Sequence, residues 1–252
     1  MPALVRFSGA KEYAELYRGN TPVAEFFHER MVHVDEVLKS IPGGRLLDVG
    51  CGPGILLDHL AGRGFELFGV DLSEAMVAEA ACVAVRDPPR LAVAGIEALP
   101  YADGTFNVVL VLGVLEYVHK LEVALREIAR VSQPNAIVII SMLNRSSAYW
   151  RWRLRVYEKV RQWLFGDAGQ HCRCQDLNLY DRVHLDITLI QLGLKTQKTL
   201  YYNFNLGLEP LATRCPRFVS WLNALCQTFA GHRFSDILRT AFLLCAIYRP
   251  DA

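Results

Sequence analysis

The sequence predicts an α/β fold in which a mainly parallel sheet has helices on both faces. The first observation is that five strand-like apolar runs alternate with segments of helical periodicity, the runs falling at residues 45–49, 66–70, 90–94, 106–112 and 136–142. Such an alternation requires mainly parallel strands joined by right-handed crossovers. The second observation is a glycine-rich turn directly after the first run, where an open sheet of this kind binds its ligands.

Residues 12–39, ahead of the first strand, predict one or two helices, because aromatic and aliphatic side chains give this segment an apolar side. The turn after the strand lies within Leu46–Gly54 (LLDVGCGPG) and carries three alternate glycines, which let the backbone approach a ligand closely. Its spacing differs from the dinucleotide fingerprint G-x-G-x-x-G, which needs a glycine where Ile55 stands. An ordinary turn between strand and helix is the alternative.

Two aspartates accompany this turn. Asp48 precedes it and suits a ligand with positive charge better than a pyrophosphate, which binds at a helix N-terminus. Asp71 ends the second strand about 20 residues further on, where a carboxylate can accept hydrogen bonds from two ribose hydroxyls. Together they favour a cationic ligand that contains a ribose.

Length and composition indicate a single globular domain over residues 1–252. The net charge is +1, so the overall field does not favour nucleic acid, and we expect no nucleic-acid partner. No apolar run reaches the roughly eighteen residues that span a membrane, and the N-terminus lacks a signal-peptide core, so we expect a cytoplasmic protein. Seven cysteines at irregular spacing indicate reduced thiols.

The two motifs, at this spacing, resemble those of the class I S-adenosylmethionine-dependent methyltransferases over roughly residues 40–143. The resemblance implies S-adenosylmethionine as cofactor and a Rossmann-like, seven-stranded, mainly parallel sheet flanked by helices. It also implies N-terminal helices over the cofactor site (1–40) and a cofactor-binding core (41–143). Beyond the fifth strand the sequence departs from the minimal fold of the family, and we expect helical cap insertions after strands five and six, at 144–178 and 206–238. A last helix is expected at 181–192 and two more strands at 194–203 and 241–248, the final one antiparallel.

The resemblance implies that Asp48 and the glycine-rich turn hold the methionine end of the cofactor and that Asp71 holds the ribose. The expected cofactor-binding residues lie in the N-terminal helices, in the turn and at the strand ends: Tyr17, Asp48, Gly50, Cys51, Gly52, Gly54, Asp71, Leu72, Met76, Gly95, Ile96, Glu97, Leu112, Gly113 and Val114. Cys51 is expected to be a small packing residue rather than a nucleophile.

Three positions depart from the family pattern. Gly95 stands where the family has an adenine-binding aspartate, so we expect the adenine contact from backbone groups at 95–97 with apolar side chains on the ring. Asn107 replaces an acid before the core of the fourth strand. Asn135 stands in place of a turn glycine before the fifth strand, and asparagine can adopt the left-handed conformation required there.

Methyl transfer from a sulfonium is an in-line displacement, so the protein must mainly align the reactants and exclude water. A general base helps when the acceptor is a hydroxyl. His119 is the first candidate and Tyr117, where relatives often have histidine, is the second; with Glu116 they are expected at the mouth of the site. Other histidines are candidates if they line the pocket: His28, His33 and His184.

The two insertions are expected to form the cap. Aromatic and aliphatic residues recur at helical spacing in 149–165, among them Tyr149 and Trp152, while the basic residues face away. Such a helix either makes peripheral contact with an anionic membrane or packs on the core as a lid. We favour the lid, because most amphipathic helices pack against the core of their own protein. In the second insertion a helix is expected from Pro216 to Gly231.

Aromatic-rich insertions beside a methyl donor indicate a roofed, apolar acceptor pocket. We expect a lipophilic or aromatic small molecule of the quinone, polyketide or other secondary-metabolite kind, methylated on oxygen before nitrogen or carbon. One alternative, an enzyme acting on macromolecules, lacks the Asn/Asp-Pro-Pro-Tyr/Phe motif after the fourth strand, where LGVL stands. Another is a non-catalytic protein that uses this fold to bind a membrane or partner.

His171, Cys172 and Cys174 are three possible zinc ligands that lie close together in the sequence. Structural zinc sites need a second pair of Cys or His ligands at a similar spacing, and none stands nearby. We therefore predict no metal.

Overall fold

Within the residues that the structure describes, the strand-like runs form one seven-stranded sheet. The structure is a computed structural model and describes residues 9–15, 17, 22–83, 88–152, 155, 178–204 and 239–250. The strands are β1 (Gly44–Val49), β2 (Phe65–Asp71), β3 (Arg90–Val93), β4 (Phe106–Leu112), β5 (Ser132–Leu143), β6 (Leu194–Phe204) and β7 (Arg239–Tyr248). Their order is β3-β2-β1-β4-β5-β7-β6, and β7 is antiparallel to both neighbours. The predicted, mainly parallel sheet is confirmed.

The helices are α1 (Ala10–Glu15), α2 (Pro22–Leu38), α3 (Ile55–Leu60), α4 (Glu74–Val83), α5 (Leu121–Val131), α6 (Ala148–Trp152) and α7 (Arg182–Gln191), with a 3₁₀ helix at Leu115–Tyr117. The predicted N-terminal helical segment thus forms two helices. At the start of α7, the Asp181 carboxylate accepts a hydrogen bond from the Val183 N–H at 2.9 Å and caps the helix. Gly193, with φ of 75°, follows its end.

The fourth strand shows why helices cover both faces of the sheet. Its sequence, FNVVLVL, is apolar at almost every position, and alternate side chains point to opposite faces. Val109 and Val111 join one core layer with α5 and α7, whereas Val108 and Leu110 join the other with α2 and α3. Such continuous runs are typical of strands buried between two layers of helices.

The fifth strand begins earlier than the predicted residue 136 and contains an irregularity. Phe106 pairs with Ser132 but Val108 pairs with Ile137, so the chain between the two β5 positions bulges out. Asn135 lies in this bulge with φ of 68°, which confirms the expected left-handed conformation. Asn107 supports the bulge from β4, because its side-chain amide donates to the Gln133 side-chain oxygen at 2.7 Å.

The start of the first insertion corrects one prediction. The sequence places Trp152 on the apolar side of a helix, but this residue is 40% exposed, whereas Trp150 is buried. The Trp150 indole N–H donates to the Thr240 carbonyl at 3.0 Å. This bond fixes the rotation of α6 about its axis and turns Tyr149 and Trp150 toward the core, so that Trp152 points outward.

Parts of the predicted cap lie outside the described residues. They include most of the helix at 149–165, the helix expected from Pro216 to Gly231, and the three possible zinc ligands His171, Cys172 and Cys174. The division of the chain into core and caps therefore stays a prediction. Where the structure describes the chain, its helices are too short or too polar to cross a membrane.

Candidate active site

The glycine-rich turn joins β1 to α3 in a conformation that favours glycine. Gly50, Gly52 and Gly54 have left-handed φ values of 74°, 53° and 77°. The N–H groups of Gly50 and of the residue after it donate to the Val70 carbonyl of β2 at 2.6 and 3.0 Å. The turn is therefore fastened to the neighbouring strand and keeps its shape.

A cavity of about 320 Å³ opens beside this turn, at the carboxyl ends of the central strands. Every predicted cofactor-binding residue except Gly54 lines it, and so do the two predicted catalytic residues, Tyr117 and His119. The prediction missed other lining residues: Tyr13, Arg30, Val49, Ile55, Leu56, Ser73, Ala94 and Val118. The structure thus brings the expected site residues together around one cavity.

Two residues of the turn serve packing. Gly54 does not line the cavity, and a Cβ built on it would lie 2.8 Å from the Cβ of Ala80 in α4. Its glycine therefore permits close contact between the turn and a helix. Cys51 does line the cavity, but burial raises the pKa of its thiol, which keeps it protonated and a weak nucleophile.

Asp71 is held in one orientation at the end of β2. Its two carboxylate oxygens accept hydrogen bonds from the backbone N–H groups of Gly52, at 2.9 Å, and Ser73, at 2.8 Å. Each carboxylate oxygen has a further lone pair, so Asp71 can also accept hydrogen bonds from two hydroxyl groups in the cavity it lines.

Asp48 is a buried acid at the floor of the cavity, with 4% of its surface exposed. Burial raises its pKa to about 7, and the positive charge of Arg30 opposes that rise. Among the described residues, none donates a hydrogen bond to its carboxyl group. A cationic group entering the cavity would supply this missing partner and favour the ionised form.

Comparisons of the sequence with known proteins agree with this geometry. A family model for a methyltransferase domain matches residues 47–140. The ubiquinone biosynthesis O-methyltransferase of Alkalilimnicola ehrlichii is 32% identical over 180 residues, which cover 69% of this chain and 70% of that protein. The chain belongs to the class I S-adenosylmethionine-dependent methyltransferases. S-adenosylmethionine is therefore the cofactor of this methyltransferase.

Two further comparisons bear on the methyltransferase. The ubiquinone biosynthesis O-methyltransferase of Azorhizobium caulinodans is 35% identical over a region covering 52% of this chain and 53% of that protein, about half its length. The crystal structure of magnesium protoporphyrin IX methyltransferase from Synechocystis PCC 6803 with bound SAH has a TM-score of 0.65 at 18% identity, covering 96% of this chain and 95% of that one. The second match shows that the fold is shared.

The residues of the cavity fit S-adenosylmethionine. Its ammonium group would supply a hydrogen-bond donor to the Asp48 carboxyl, which has none among the described residues, and its ribose would supply two hydroxyls for Asp71. Leu72 lines the cavity although it is 52% exposed, and its side chain lies 3.7 Å from a Cβ built at Gly95. An adenine ring at this edge would cover Leu72 and pack beside Ile96, as the sequence predicts.

Arg30 of α2 is the main charged residue that the prediction missed. Its guanidinium group is buried and lies 5.8 and 5.0 Å from the ring centroids of Phe26 and Phe27. It also donates to the Tyr17 hydroxyl at 3.3 Å. A sequence signal exists, because an arginine three and four residues after two aromatics lies on the apolar side of a helix, where an unpaired charge is costly.

Tyr117 and His119 lie on the loop after β4, here called the mouth turn (residues 115–119). Tyr117 is 40% exposed and His119 is also exposed, and both reach the cavity from its rim. The mouth turn therefore carries the predicted general bases where an acceptor could enter. The other candidate histidines do not line this cavity: His28, His33 and His184.

Glu116 was expected at the mouth of the site, and this expectation is wrong. It is buried, and one carboxylate oxygen has no hydrogen-bond partner among the described residues. Burial raises its pKa to about 7, against the lowering effect of Arg30 nearby. The reason is the 3₁₀ geometry, in which successive side chains are rotated by about 120°, so Tyr117 faces out while Glu116 faces in.

Proposed function

We propose that the methyltransferase transfers a methyl group to a hydroxyl oxygen of a lipophilic, aromatic small molecule of the quinone-precursor type. The observation that carries the proposal is that one cavity, lined mainly by apolar side chains, joins the donor residues to Tyr117 and His119 at its rim. The two relatives named ubiquinone biosynthesis O-methyltransferase support oxygen as the methylated atom.

In this proposal the donor is held along the ends of three strands. Asp48 binds the ammonium group and Asp71 the ribose hydroxyls, while Gly113 lies under the methionine portion. Tyr13 and Tyr17 of the N-terminal segment cover the cavity, and burial raises the pKa of both phenols, which keeps them protonated and able to donate hydrogen bonds.

The bound cofactor supplies a methyl group on a positively charged sulfur, a leaving group that needs no protonation. With the cofactor bound, His119 would accept the proton of the acceptor hydroxyl as that oxygen takes the methyl group from the sulfur. Tyr117 is the second candidate for this role. The glycine-rich turn and the mouth turn hold the reacting groups in line and limit access of water.

We further propose that the start of the segment at 149–165 packs on the core as part of a lid. We also propose that the protein is cytoplasmic. The burial of Tyr149 and Trp150, packed beside Leu143 and Leu179, supports packing on the core. Peripheral contact of the rest of the segment with an anionic membrane is the alternative. Vesicle co-sedimentation with the purified protein distinguishes the two.

The function is tested in two steps. Titration calorimetry with S-adenosylmethionine and S-adenosylhomocysteine, with NAD as control, is expected to show binding of the two adenosyl compounds only. Incubation with S-adenosylmethionine and a panel of lipophilic phenols, amines and carbon nucleophiles is then expected to give O-methylated products by mass spectrometry. Methylation of amines alone would contradict the acceptor atom, and donor binding without any product would favour the non-catalytic alternative.

A further inference from the structure

The mouth turn is held from outside the cavity by Asn178, the last residue of the first insertion (144–178). The Asn178 backbone N–H donates to the Glu116 carbonyl at 2.8 Å, and its side-chain amide donates to the Val118 carbonyl at 2.6 Å. Asn178 does not line the cavity, and 60 residues separate it from Val118. Asn178 thus donates hydrogen bonds to both carbonyl groups that flank Tyr117.

In the part of the chain that the structure describes, two backbone hydrogen bonds close the mouth turn itself. The Tyr117 N–H donates to the carbonyl of Val114, just before the turn, at 2.9 Å, and the Val118 N–H donates to the Leu115 carbonyl at 3.2 Å. A single 3₁₀ turn of this kind has poor hydrogen-bond geometry and little intrinsic stability. Without Asn178, two of its carbonyls would depend on water, and the direction of Tyr117 would be less well fixed.

The segment after Asn178 is also fastened to the other end of the first insertion. The Arg145 N–H donates to the Tyr180 carbonyl at 3.3 Å, and the Ser146 hydroxyl donates to the Asp181 carboxylate at 2.8 Å. The two ends of the insertion therefore meet at one place, and Asn178 joins that place to the mouth turn.

We propose that Asn178 is a positioning residue for the acceptor: by holding the carbonyls on either side of Tyr117, it sets the positions of Tyr117 and His119 and links them to the base of the first insertion. This inference rests on the proposed function, in which the acceptor meets those two side chains. Donor binding depends on Asp48 and Asp71, on other strands, and does not require Asn178.

The test compares variants of the full chain. Asn178→Asp keeps the shape of the side chain but replaces its donor with a carboxylate, and Asn178→Ala removes the amide. Asn178→Gln keeps an amide donor. The matched control is Gln197→Ala, because the Gln197 amide also donates to a backbone carbonyl, that of Lys195 at 3.2 Å, but on β6 away from the cavity.

Three quantities are measured: amide hydrogen exchange in peptides that cover the mouth turn, affinity for S-adenosylmethionine, and steady-state kinetics with the lipophilic phenol of the panel that the unchanged protein methylates fastest. For Asn178→Asp and Asn178→Ala we expect about tenfold faster exchange in the mouth turn and an about tenfold lower kcat/KM for the acceptor, because one partly buried hydrogen bond is lost. Donor affinity stays unchanged, Asn178→Gln recovers part of the loss, and Gln197→Ala changes none of the three.

Unchanged exchange in the mouth turn of both variants would overturn the proposal, whatever the acceptor. Faster exchange with unchanged acceptor kinetics would overturn it too, because the turn would then not position the reacting groups. Absence of turnover in the unchanged protein would contradict the proposed function instead, and the exchange measurement would still decide whether Asn178 holds the turn. Donor binding by each variant shows that it has folded.

Discussion

The donor half of the cavity is built on strand ends, whereas the acceptor half is built on a turn held by a residue far away in the sequence. In the donor half, the glycine-rich turn and Asp71 follow directly from β1 and β2, and backbone N–H groups fix the carboxylate at 2.8 and 2.9 Å. In the acceptor half, the mouth turn depends on Asn178. We therefore expect the donor half to tolerate substitutions elsewhere in the chain. The acceptor half should respond to substitutions in the first insertion, which ends at Asn178.

The largest expected effect tests the donor half at Asp48. Asparagine at this position is uncharged and cannot form an ion pair with an ammonium group, so we expect Asp48→Asn to raise the dissociation constant for S-adenosylmethionine about a hundredfold. Burial raises the pKa of Asp48 to about 7, so in the unchanged protein donor affinity should rise with pH up to about that value and then level off. The variant should lose this pH dependence.

Titration calorimetry on both sides of pH 7 measures this effect. The control is Asp58→Asn, which changes an exposed acid in the adjacent helix α3. Equal donor affinity in Asp48→Asn and the unchanged protein would show that the ammonium group binds elsewhere.

The next effect tests the acceptor half at His119. If His119 accepts the proton of a hydroxyl acceptor, His119→Asn lowers kcat about a hundredfold and leaves donor affinity unchanged. The loss should shrink at high pH, where the acceptor loses its proton to solvent without the base. His184→Asn, on the exposed side of α7, is the control. A larger loss in Tyr117→Phe than in His119→Asn would transfer the role to Tyr117.

Asp71 offers a smaller effect within the donor half. Asp71→Ala removes the acceptors for the ribose hydroxyls and for the Gly52 N–H, and we expect donor affinity to fall about tenfold while the protein stays folded. Glu74→Gln, an exposed acid three residues later in α4, is the control. Calorimetry and a thermal unfolding curve are the measurements, and unchanged affinity would place the ribose elsewhere.

The difference between the halves also explains what the sequence could predict. Strand, turn and helix start are neighbours in the chain at Leu46–Gly54, so spacing alone locates the donor residues there, with Asp71 at the next strand end. Arg30, Glu116 and Asn178 depend on tertiary contacts instead. Spacing contains no information on which carbonyl an amide 60 residues away will reach.

The helix at the first insertion illustrates the same limit. Periodicity predicts that a helix is present but gives its rotation only within about one residue, so Trp152, expected on the apolar side, is exposed and Trp150 is buried instead. The deciding contact is the hydrogen bond from the Trp150 indole to Thr240, 90 residues away. Local patterns therefore predicted most strand positions correctly, and long-range hydrogen bonds decided the remaining details.

Glu116 belongs to the mouth turn by sequence, but the positive charge of Arg30 in α2 acts on its carboxyl group, so it tests where the two halves meet. Burial raises its pKa from 4.5 to about 7, which means that the folded protein retains a proton that the unfolded chain releases. The stability that this carboxyl contributes therefore falls as pH rises from about 4.5 to 7 and stays low above that range. Glutamine is neutral throughout, so Glu116→Gln should match the unchanged protein in acid.

Above pH 7 we expect Glu116→Gln to be more stable than the unchanged protein by about 1 kcal/mol or more, because the buried carboxyl is ionised there whereas glutamine stays neutral. Urea unfolding on both sides of pH 7 measures the difference, with the exposed Glu122→Gln of α5 as control. Because the Glu116 side chain does not line the cavity, neither donor affinity nor acceptor kinetics should change more than a few-fold. A large loss of acceptor turnover in Glu116→Gln would instead show that the Glu116 carboxyl belongs to the acceptor half of the site.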